Sequence, residues 1–112
     1  MKVDGSDNYL DAIASLIREE IPARELPPSF SDDMLFRMYA VLLVAVGEKV
    51  TERDVHNAWV AWMIDLNPSH PSLVPYEELP GQVAREDQVY VYAIRRVASR
   101  LSETSQVISE ER

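Results

Sequence analysis

The run from His70 to Pro80, His-Pro-Ser-Leu-Val-Pro-Tyr-Glu-Glu-Leu-Pro, places three of the chain's seven prolines within eleven residues. Each proline fixes φ and removes a backbone donor, so the run is neither a regular helix nor a central strand. It also carries Leu73, Val74, Tyr76 and Leu79, which is too apolar for a free linker. The expectation is an ordered loop pressed onto whatever precedes and follows it.

What surrounds it has helical periodicity. Leu10, Ile13, Ile17 and Ile21 recur at spacings of three and four, with Leu16 beside them. Asp7 or Asn8 can cap this first helix, and Pro22 stops it. Pro27-Pro28 makes the next stretch an extended connector, pinned to the core by Leu26 and Phe30. Ser31-Asp32-Asp33 supplies a cap and first-turn carboxylates for a second helix, Asp33 to about Val46. That helix is apolar nearly all round, which implies burial nearly all round, and Gly47 ends it in a left-handed cap. Thr51 and Asp54 form a weak capping box for a third helix, Glu52 to Leu66, closed by Asn67-Pro68. Beyond the loop, Gly81 to Arg85 reads as a polar bridge. Glu86 and Asp87 open a fourth helix ending near Ser102, with Tyr90, Ala93, Ile94, Val97, Ala98 and Leu101 inward.

The fold class expected is therefore all-α: about four helices with the proline-rich loop between helices 3 and 4. A chain of 112 residues is one domain with one core, burying roughly 65% of its unfolded surface. Residues 1–102 make that domain, residues 1–7 fray, and residues 103–112 form a loose tail.

Composition narrows the function classes. The chain has no cysteine, which excludes a disulfide scaffold, a thiolate zinc site and a cysteine nucleophile. No secretory signal is visible at the N-terminus, and the longest apolar run, Met34 to Val46, is interrupted by Arg37 and too short to span a bilayer. A cytoplasmic, non-membrane protein is expected. The net charge of −8 opposes binding to a nucleic-acid backbone, although a local pair of arginines can still hold a small anion.

Parts for catalysis are lacking. The two histidines, His56 and His70, have no His-Glu-x-x-His spacing, so no metal or other cofactor is expected. There is no Gly-x-Ser-x-Gly elbow and no Gly-rich phosphate loop. Glu77-Glu78 and Glu86-Asp87 are paired acids at helix starts, where caps and solvated charge account for them. Trp59 and Trp62, three apart on one helix, are the more suggestive set. On spacing they are a core pair, or else a stacking surface bordered by Tyr76, Tyr90 or Tyr92, with Arg95, Arg96 or Arg100 to bind an anion.

The order Val55-His56-Asn57-Ala58-Trp59, then the His70–Pro80 run, then Asp87 and Ile94, resembles the RyR domain of ryanodine receptors and of prokaryotic proteins. The likeness covers about Val55 to Leu101 and lacks the Gly-Trp-x-Tyr-Gly segment usual in a receptor repeat. The whole arrangement also looks like small proteins of actinobacteria and their phages. The resemblance implies a non-enzymatic binding module for a nucleotide-derived ligand, with Trp59, Trp62, Tyr76, Arg95 and Arg96 as ligand contacts. It casts His56, His70, Pro71, Pro75 and Asp87 as scaffold. The alternative expectation is a protein-interaction or homodimerisation module, using apolar surface on the first or third helix.

Overall fold

The structure, a computed structural model, describes residues 8–25 and 32–110. The expected fraying of residues 1–7 and the pinning by Leu26 and Phe30 lie outside these residues. Among the described residues, four long helices and one short one make up the fold, and there is no strand. They are α1 (Tyr9–Glu19), α2 (Asp33–Val46), α3 (Glu52–Leu66), α4 (Gly81–Arg85) and α5 (Gln88–Glu110).

Local chemistry sets most of the boundaries. Asn8 caps α1, its side chain accepting from the Asp11 N–H at 3.0 Å. At α3 the capping box is complete. Thr51 Oγ1 accepts from the Asp54 N–H at 3.2 Å, and Asp54 Oδ2 accepts from the Thr51 N–H at 3.0 Å. Asp32 precedes α2 without capping it; its carboxylate turns instead to Arg18 on α1, 2.5 Å away. An arginine offers that carboxylate a charged partner, which outweighs one backbone N–H.

Three elements depart from expectation. Gly47 has positive φ (60°) but ψ −131°, outside the left-handed helical basin and in a region open essentially to glycine alone. The polar bridge Gly81–Arg85 is itself a helix, with Pro80 accepting from Val83 and Ala84. The last helix begins after Asp87 and runs on to Glu110, so its backbone continues past the end expected near Ser102 into the segment read as a tail.

The core lies where α1, α2, α3 and α5 meet. Ile17, Leu35, Phe36, Tyr39, Val50, Val55, Val91, Ile94 and Val97 are fully buried. Within it Tyr39 meets Phe36 edge-on at 5.4 Å and Tyr90 at 5.4 Å between centroids. Helix α1 packs chiefly on α2, and α5 packs on α1, α2, α3 and the 3-10 turn Gly47–Lys49.

Candidate functional site

The His70–Pro80 loop is fastened to α3 by rings. Buried His56 donates from Nε2–H to the Val74 carbonyl at 2.7 Å, which fixes that tautomer. Trp59 stacks on His56 at 5.7 Å and receives His70 edge-on at 5.0 Å, while Tyr76 leans on His56 at 6.2 Å. His70 Nδ1 accepts from the Ser72 N–H at 3.0 Å. Each histidine thus spends a ring nitrogen on loop backbone. Pro71 and Pro75 are exposed in the loop, and an ion pair from Arg53 to Glu77 ties its 3-10 turn, Tyr76–Glu78, to the start of α3. A hydrogen bond from its own backbone, together with that pair, lowers the Glu77 pKa.

The five residues named as ligand contacts find partners in separate places. Trp59 and Tyr76 brace the loop. Trp62, three residues on, is 7% exposed and belongs to the core. Arg95 donates from Nε and Nη2 to the Val50 carbonyl, at 2.9 and 2.7 Å, holding α5 to the α2–α3 connection. Arg96 faces Glu20 at 3.5 Å, beside Arg100, which reaches the same carboxylate at 2.5 Å. Among the described residues, no three His, Asp or Glu side chains converge as metal ligands.

A different surface is open. Helix α2 buries Leu35, Phe36, Tyr39, Ala40 and Leu43 on one face only. On the opposite face Met34 (49% exposed), Val41 (49%) and Val44 (56%) stand in solvent with Ala45, and Met38 is half-buried beside them. The expectation that α2 is enclosed is therefore corrected. Its neighbours pack along one side, and about three and a half turns of helix are left with an outward apolar stripe. Asp33 and Arg37 share this face, Arg37 bonded through Nε to Asp11 at 2.9 Å. At the C-terminal end of α2, between it and α5, Leu43, Ala45, Gly47, Glu48, Ala98 and Ser102 line a shallow groove of about 560 Å³. A Cβ added at Gly47 would meet nothing within 4 Å.

The model of one family, a domain of unknown function (DUF7701), matches residues 8–99, from the start of α1 almost to the end of the buried part of α5. The chain belongs to the DUF7701 family. Comparisons with curated proteins and with solved structures give no match. The match corrects the RyR resemblance: the DUF7701 unit takes in α1 and α2, which that likeness omitted. The physical reason is local. Prolines and aromatic anchors in a short loop laid over a helix solve a packing problem, and that solution does not specify the rest of a fold.

Within the DUF7701 domain nothing in the sequence points to what Arg18 does, and Asp87 is marked there only as scaffold. Arg18 binds Asp32, lies 3.4 Å from Asp33, and places its guanidinium 4.3 Å from the centre of the Phe36 ring. It lines a polar cleft between α1 and α2 with Asp11, Ser15 and Arg37. Asp87, just before α5, has a buried Oδ2 without a hydrogen-bond partner. Burial pushes its pKa up to about 6; His56 lowers it, and Glu86 and Glu52 raise it. The exposed stripe did have a signal in the sequence. Asp33 and Arg37, four apart, mark the outward arc of α2, and Val41 and Val44 continue along it.

Proposed function

We propose that the DUF7701 domain is a non-catalytic protein-interaction module that receives an apolar helix against the exposed face of α2. The observation that carries this reading is the stripe of Met34, Met38, Val41, Val44 and Ala45 on a helix whose other face is the core. Apolar anchors at three- and four-residue spacing are what helix-in-groove recognition uses. Two methionines suit such a surface, because their unbranched side chains adapt to a partner. The loop contributes rigidity, since its ring nitrogens and aromatic faces are turned to its own backbone and to α3.

The test uses a synthetic amphipathic peptide of about sixteen residues, with leucines on one face and mixed lysine and glutamate on the other. Titrated into the isotope-labelled chain, it is expected to shift the amide and methyl signals of Met34, Met38, Val41 and Val44. Shifts confined to the loop or to α5, or none at all, would overturn the reading.

A further inference from the structure

The occupant of the α2 face follows from how its two ends are charged, given the docking reading above. Arg37 and Glu48 lie equally far along the chain from the midpoint between Val41 and Val44, one toward each end. A two-fold axis through that midpoint lays a second α2 antiparallel on the first. Val41 of each copy then meets Val44 of the other, and Arg37 of each copy meets Glu48 of the other. We infer that the partner is a second copy of this chain, docked antiparallel through α2 in this register.

Two observations support the register. The bond from Arg37 to Asp11 uses Nε, and a guanidinium carries further N–H donors on its two terminal nitrogens. Glu48 is exposed on the 3-10 turn that closes the stripe. A parallel pairing would instead set Arg37 against Arg37 and Glu48 against Glu48, which like-charge repulsion disfavours. The surface is small and each copy carries a net charge of −8, so the association belongs in the micromolar range.

Sedimentation equilibrium of the full chain tests this, with Glu48→Arg, Arg37→Glu and the double exchange Arg37→Glu/Glu48→Arg beside the wild type. The wild type is expected to self-associate at micromolar concentration. Each single exchange is expected to weaken association about tenfold, and the double exchange to recover it to within about threefold. Glu48 stands exposed on its turn, so Glu48→Arg carries the test if Arg37→Glu loosens α1 through Asp11. A wild type that stays monomeric to hundreds of micromolar, or a double exchange no stronger than the singles, overturns the proposal. If the wild type is monomeric while the leucine-faced peptide still shifts the α2 signals, the second copy is ruled out and the docking reading stands. If neither occurs, both fail.

Discussion

Asp87 is the residue whose chemistry is least at ease with its surroundings. It precedes α5, where the helix dipole favours an anion, yet burial outweighs that and its pKa rises to about 6. The folded state therefore holds this proton more tightly than the unfolded chain does. The stability that protonation confers is complete below the unfolded pKa near 4 and is lost as pH rises to about 6. An asparagine at this position would keep the shape and remove the charge. Asp87→Asn is expected to raise the urea midpoint relative to wild type at about pH 7.5 and to shrink that advantage at about pH 4. An advantage that does not change with pH would contradict the burial account. At this scale the sequence was only partly legible. His56, His70 and Asp87 stood out by type and position, whereas the roles of Arg18 and Arg95 depend on which helices pass beside them. Arg18 needed Asp32 and Phe36 to be brought from α2, and Arg95 needed the carbonyl of Val50, 45 residues away.

Elements were more legible than contacts, because caps and breakers act over three or four residues. Asn8, the Thr51–Asp54 box and Pro68 place the ends of α1 and α3 with no knowledge of tertiary structure. The short helix α4 escaped notice because Gly81–Arg85 is polar and too brief for a periodic signal. Hydrophobicity misled on α2: an apolar helix was expected to be enclosed, but packing covers one face and the other stands exposed. Gly47 ends that helix at φ 60° and ψ −131°, in open space. Gly47→Ala is expected to cost about 1–3 kcal/mol in urea unfolding through backbone strain alone, with no steric clash to relieve. An alanine variant as stable as wild type would mean that this turn is not held in the glycine-only region.

For the whole molecule, the arrangement separates a braced frame from an exposed apolar face. The loop is braced on α3 through His56 and Trp59, and α5 is clamped to Val50 by Arg95, while the outer stripe of α2 remains exposed. The all-α architecture was legible because apolar periodicity and proline placement point the same way. The exposed face of α2 was legible only through the Asp33 and Arg37 arc, because sequence alone does not separate an apolar position covered by its own chain from one left in solvent. The most direct test of the central claim is the affinity of Val41→Asp/Val44→Asp for the leucine-faced peptide, measured beside urea unfolding of the same dilute, monomeric protein. The double variant is expected to unfold within about 0.5 kcal/mol of wild type, as exposed positions do, and to lose peptide binding at least tenfold. Undiminished binding, or destabilisation beyond about 2 kcal/mol, would contradict the account, the second by placing these two valines in the core.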